Sequence, residues 1–171
     1  MEIDILPLDG AEKVSKELLK KLQAELKKKD VKTRVLKAAK MPKGAWDEGR
    51  GQYDAHKALE LSGKKGVLAI TSADIFEPGM NFVFGTGFRE GSAIVSYARL
   101  KPEWYGEKAS QKKIMERLAK EALHEIGHTL GLKPCNNRVG KKICAMTFSS
   151  TVHDIDAKAA AFCTKDAKML E

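Results

Sequence analysis

Ala122-Leu123-His124-Glu125-Ile126-Gly127-His128-Thr129-Leu130-Gly131 is the stretch on which the reading of this chain turns. It contains H-E-x-x-H, with a glycine three residues further on. On a helix, residues four apart stack on one face, so His124 and His128 would present two imidazoles to one point in space. Neutral imidazole nitrogen binds Zn²⁺ at about 2.0–2.1 Å. Glu125 is turned to the adjacent face, where it would reach a water rather than the metal. That is the pattern of a zinc peptidase, in which two His bind and the Glu is general base. H-E-x-x-H by itself fixes only three positions and recurs in unrelated proteins. Two features strengthen it here. Ile114, Met115, Leu118, Ala119, Ala122, Leu123, Ile126 and Leu130 form an amphipathic helical pattern around it. Gly131 is the residue type suited to a left-handed helix C-cap.

The residues downstream are Gly131-x-x-x-Cys135, then Cys144-Ala145-Met146, then Cys163. This order resembles the archaemetzincins, metzincin-type zinc metallopeptidases, whose signature is H-E-x-x-H-x-x-G-x-x-H-C, a short spacer, C-x-M and a late C-x-x-C. The resemblance by motif covers residues 80 to 166, and the cysteine tail is more specific than H-E-x-x-H. Three positions depart from the signature. Pro134 stands where the family has its third histidine. The spacer Asn136 to Ile143 is longer than the family's, and Asp166 replaces the last cysteine.

The resemblance implies a zinc-dependent peptidase acting on peptides or unfolded proteins. A zinc-held water would be deprotonated by Glu125 and would attack the scissile carbonyl. Met146 would be the Met-turn, an apolar floor under the histidine rings. A catalytic zinc normally has three protein ligands and one open position, and only His124 and His128 are apparent. Cys135, His153 or solvent could supply the third. Cys135, Cys144, Cys163 and Asp166 have the order of the family's structural zinc site, and a Cys₃Asp set is chemically sensible; three free buried cysteines are the alternative. Two classes of function therefore stand side by side: an active zinc metallopeptidase, and an inactive pseudopeptidase serving as a binding or regulatory module, with Pro134 as the discriminating residue.

At 171 residues the chain is read as one domain, with a sheet-and-helix part at 1–131 and a cysteine-containing Met-turn part at 132–171. No apolar run approaches the roughly 20 residues of a membrane span. The acidic start, Met1-Glu2-Ile3-Asp4, lacks the basic region of a signal peptide, so a cytoplasmic monomer with no membrane partner is expected. The net charge of +8 comes from lysines dispersed among glutamates on helix faces. With no helix-turn-helix or RNA-binding pattern, that argues against a nucleic-acid partner. Three clustered cysteines suit a metal site better than a disulfide framework.

Periodicity predicts a strand over Glu2–Leu6, a helix from a cap at Asp9 to Lys29, a strand at Val31–Val35 and a short helix at Tyr53–Leu61. Beyond these it predicts a buried strand at Val67–Thr71, strands at Asn81–Phe84 and Ser92–Arg99, the active helix over Glu107–Leu130 and a last helix over Ile155–Leu170. Residues 38–52, Ser72–Met80 and Thr86–Gly91 read as loops. The alternation is α/β. By resemblance it is a single metzincin-like domain: a twisted mixed sheet packed on long helices, with the zinc-binding helix below an edge strand. Asn81–Phe84 is the candidate for that edge. His56 reads as a surface residue of its helix.

Overall fold

The computed structural model describes residues 2–88 and 91–170. Its strands are β1 (Asp4–Pro7), β2 (Trp46–Asp47), β3 (Gln52–Asp54), β4 (Val67–Thr71), β5 (Ile75–Phe76), β6 (Gly85–Gly87), β7 (Ala93–Ser96), β8 (Arg138–Val139) and β9 (Lys142–Ile143). Its α-helices are α1 (Glu12–Lys27), α2 (Ala55–Ser62), α3 (Gln111–Thr129), α4 (Val152–Ala157) and α5 (Thr164–Met169).

The main sheet runs β1-β4-β7-β6. The first three strands are parallel, and β6 is antiparallel to β7 at the edge. Its central strand, β4, reads VLAIT and is buried throughout, as a strand covered on both faces must be. Side chains alternate across a strand, and the core divides accordingly. Leu68 and Ile70 face a layer with Leu18, Leu22 and Leu26 of α1 and Met115, Leu118 and Ala122 of α3. Val67 and Ala69 face a second layer with Ala55, Ala58 and Leu59 of α2. The α/β architecture with α1 and α3 on one face is the one expected. No helix among the described residues is long and apolar enough to cross a membrane.

Helix ends follow local chemistry. Ser110, not a residue near Glu107, caps α3 by accepting from Lys113 N, so the helix begins later than its periodicity suggests. Asp54 caps α2, and Tyr53 belongs to β3 instead of the helix.

Further expectations are corrected. Residues 31–39 follow β1 through isolated parallel bridges, Glu2 with Lys32, Ile5 with Val35 and Leu8 with Ala39, not as a regular strand. Within 38–52 and 72–80, β2, β3 and β5 build a second small sheet. The edge of the main sheet is Gly85–Gly87 and not Asn81–Phe84. The loop expected at Thr86–Gly91 therefore begins in strand, and its Arg89 and Glu90 lie outside the described residues. The final helix is two, α4 and α5. Lys158 between them is extended at φ −71°, ψ 153°, and bridges to Ile143. Ala159 N donates to Ile143 O and Ala145 N to Ala161 O, so this segment is spent on the stretch 143–145 and cannot continue the helix.

Candidate metal centres and cleft

The last two turns of α3 carry His124 and His128. Their Nε2 atoms lie 3.0 Å apart, with the ring planes at 87°. His124 Nδ1 is 2.9 Å from Ala145 O and His128 Nδ1 is 3.0 Å from Leu132 O. A carbonyl only accepts, so each Nδ1 must donate. In the neutral imidazoles both Nε2 atoms are then bare lone pairs facing one another. Burial, with Lys158 and His128 nearby, pushes His124 down to about 3 and keeps it neutral. Two opposed lone pairs with their tautomers fixed by backbone carbonyls suit a cation between them, and the carbonyls are the outer contacts that orient metal-ligating histidines. Gly131 (φ 90°) turns the chain after α3 and returns Leu132 O to His128.

Glu125 is buried, and burial and then Glu121 raise its carboxyl well above the usual range. It leans on β6. A Cβ at Gly85 would fall 2.9 Å from Glu125 Cγ, and one at Gly87 would fall 3.2 Å from Oε2. The two glycines share a strand face, which leaves room for that carboxylate beside the sheet edge. One turn earlier on α3, Glu121 accepts from the wholly buried Lys158 ammonium at 3.0 Å.

Two adjoining cavities, of about 350 and 460 Å³, meet at His124 and Glu125. Met80, Val83, Gly85 and Phe148 line both. The exposed side chains of Met80 and Phe148 face this cleft. His128, Pro134 and Glu77 line the second cavity.

The other cluster is closed. Cys135, Cys144, Cys163 and Asp166 bring one ligand atom each within 4.8 Å of one another. Among the described residues this is the one grouping of three or more His, Cys, Asp or Glu that could hold a metal ion. Asp166 Oδ2 accepts from the three thiols at 3.0, 3.1 and 3.2 Å. Burial works to raise the Asp166 carboxyl, and the three thiols outweigh it, leaving it below the ordinary range. Burial and Asp166 hold the Cys135 thiol up, and burial does so foremost for Cys144. Three thiolates and a carboxylate are ligand types that a structural zinc accepts, and here they lie close enough together to hold an ion.

The chain Cys144-Ala145-Met146 touches both centres. Cys144 Sγ joins the closed cluster, Ala145 O holds His124, and Met146 is buried under Gly127. A Cβ on Gly127 would overlap Met146 Sδ, so the second x of H-E-x-x-H must be glycine for Met146 to sit where it does.

The structure thus brings together His124, His128 and Glu125 in one place and the Cys₃Asp set in another. Cys135 sits in the closed cluster and not beside the imidazoles. His153 is exposed on α4 and lines neither cavity. His56 is half-exposed, but it is not a free surface residue: its Nε2 is 3.0 Å from Glu77 Oε1, at the cleft. Sequence reading passed over Glu77, Lys158, Gly85 and Gly87. Glu121 had a signal, since it lies four residues before Glu125 on the same helical face.

The family model for peptidase family M54 matches residues 43–171. The chain is 36% identical over 174 residues to the archaemetzincin of Methanocaldococcus jannaschii, covering 100% of this chain and 93% of that protein. To the archaemetzincin of Methanopyrus kandleri it is 42% identical over 144 residues, 79% of this chain and 75% of the other. Its fold matches the crystal structure of archaemetzincin from Archaeoglobus fulgidus complexed with malonate, at TM-score 0.83 and 35% identity over 99% of each chain. It also matches a zinc-dependent peptidase from Methanocorpusculum labreanum at TM-score 0.78 and 28% identity, over 98% of this chain and 100% of that one.

Proposed function

Since the chain belongs to peptidase family M54, the archaemetzincins, we propose that it hydrolyses peptide bonds with a zinc ion held by His124 and His128. The observation that carries this reading is the pair of Nε2 atoms 3.0 Å apart, each ring fixed by an Nδ1 bond to a backbone carbonyl. When bound, zinc supplies an electrophile for the scissile carbonyl and acidifies water.

The rest of the chemistry falls to the chain's own groups. Glu125 takes the proton of the attacking water on its carboxylate and later gives it to the leaving amine. Its raised proton affinity, caused first by burial, suits a group that must hold a proton between those steps. Gly85 and Gly87 keep the space beside it clear. Met80 and Phe148 give the cleft apolar walls. A second zinc, held by Cys135, Cys144, Cys163 and Asp166, would replace the thiol protons now donated to Asp166 and would be structural.

Pro134 favours a second reading. It lines the cavity beside His128, at the family's third-histidine position, and has no ligand atom on its side chain. A zinc held by two imidazoles would be weak, and the chain would then bind peptides without cleaving them.

Hydrolysis of a quenched fluorogenic peptide library by zinc-loaded protein separates the two. The peptidase reading expects turnover that falls about 10²–10⁴-fold in Glu125→Gln, with zinc content unchanged. Peptide binding without any turnover in the parent protein would establish the pseudopeptidase instead.

A further inference from the structure

The wall of the cleft opposite α3 is the segment 79–84, and its first half is held by side chains from elsewhere in the chain. Arg50 Nη2 donates to Met80 O at 2.7 Å and to Asn81 O at 3.0 Å. Gln52 Nε2 donates to Asn81 O at 3.1 Å and to Asp74 Oδ2 at 2.8 Å. Gln52 Oε1 accepts from Arg50 Nε at 3.1 Å. The orientation of the amide is settled by its neighbours, because Nε2 faces two acceptors and Oε1 faces a donor. Asp74 also takes a bidentate pair from Arg99, at 2.8 and 2.7 Å. Arg99 lies over the rings of Phe82, at 4.2 Å, and Trp104, at 4.7 Å. Arg50 is anchored over Phe76 at 3.9 Å.

Gln52 is the hub of this network, and it is only 6% exposed. Arg50, Gln52, Asp74 and Arg99 line neither cavity. What they hold, Met80, Asn81 and Phe82, does line the first one.

We propose that Gln52 is a positioning residue for substrate: with Arg50, Asp74 and Arg99 it clamps Met80, Asn81 and Phe82 into the wall that receives a peptide side chain flanking the scissile bond. The role toward substrate rests on the peptidase reading; the clamp itself does not. Without Gln52, Asn81 O keeps only its bond from Arg50 and Asp74 only its pair from Arg99, so the link between them and the wall is cut and the wall opens more often. An open wall weakens the grip on a bulky flanking side chain and leaves the proton chemistry at Glu125 alone. The defect therefore belongs in KM and in selectivity.

The test uses zinc-loaded full-length parent, Gln52→Leu and the exposed-site variant Arg50→Ala, which reports on the clamp if the buried substitution impairs folding. Two fluorogenic peptides differ only in having Phe or Gly on both sides of the scissile bond. In the variants kcat/KM for the Phe peptide should fall about tenfold, mostly through KM, since tenfold corresponds to 1.4 kcal/mol. The Gly peptide should change by less than about twofold on the same argument. Amide hydrogen exchange over 79–84 should quicken about tenfold while α3 stays protected. Equal losses on both peptides, or a fall in kcat at constant KM, would overturn the role toward substrate. Unchanged exchange over 79–84 in both variants would overturn the clamp, whether or not any peptide is cleaved. Failure of the parent to cleave either peptide would overturn the peptidase reading and leave exchange to judge the clamp.

Discussion

The two candidate metal centres differ in what their surroundings leave undone. The Cys135, Cys144, Cys163 and Asp166 cluster has four donors, three of them buried, already turned inward on one oxygen. The His124 and His128 pair has two donors, a proline beside it and a cleft in front. A closed four-donor set stabilises a fold, whereas an open one admits a substrate. The contrast also has a physical link. Next to Cys144, Ala145 O holds His124 Nδ1 and Met146 packs under Gly127, which lies between the two histidines. The closed centre is thus placed to hold the open one in shape.

Breaking the closed centre should have the largest consequence. In Cys163→Ser its zinc affinity should fall by more than the roughly 10–100-fold that loss of an outer contact brings. The open centre should then lose about 10–100-fold in zinc affinity as Ala145 O shifts from His124. Competition titration with a chromophoric chelator reads both steps. A variant in which the open site keeps the parent's affinity would mean that the centres are independent.

Gly127→Ala comes next. Ala is the better helix former by up to about 1 kcal/mol, but overlap with Met146 calls for repacking of about 1–3 kcal/mol. Net destabilisation by denaturant titration is expected. Met146→Ala in the same chain makes room, so the double variant should be less destabilised than the sum of the singles. An additive pair would remove the floor from the account.

Pro134→His acts on the open centre alone. It should tighten zinc there about tenfold or more, ~1.4 kcal/mol or above, and leave the closed centre unchanged. No gain would mean that a third ligand is already in place.

The smallest effect concerns the join between α3 and α4. The Arg117 guanidinium, wholly buried, donates twice to Asp156 at 2.8 and 2.7 Å and holds its carboxyl below the usual range. A carboxyl of depressed folded pKa stabilises fully above its unfolded value of about 3.9 and ceases to do so as pH falls through the lower folded value. The melting temperature should therefore drop as pH falls from about 5 through the lowered folded value. Asp156→Asn should have a shallower acid limb, and identical limbs would refute the contribution.

What could be read from the chain alone follows from which interactions are local. The active helix was legible because its apolar period and its terminal glycine lie within one stretch, and β4 because four consecutive apolar residues, Val67 to Ile70, have to be covered on both faces. The edge strand was not. Phe82 and Phe84 alternate as strand residues do, yet they pack on each other at 5.2 Å in a loop held by Arg50 and Gln52 from about thirty residues earlier. The true edge contains Gly85 and Gly87, poor strand formers, and the reason for them is Glu125, some forty residues later. The break between α4 and α5 was hidden likewise, since Lys158 leaves the helical path to reach Glu121. The lengthened spacer did carry a signal: Gly140, at φ 60°, turns the β8–β9 hairpin. The candidate ligand residues and their two groups came from the motif and the resemblance; that Cys135 lies with the closed set came from the fold.

The most direct test of this division is anomalous diffraction at the zinc edge from crystals grown with excess zinc. Two peaks are expected per chain, one bonded to Nε2 of His124 and His128, the other to Cys135, Cys144, Cys163 and Asp166. A single peak at the cysteine cluster, or a zinc at the histidines ligated by Cys135, would contradict the account.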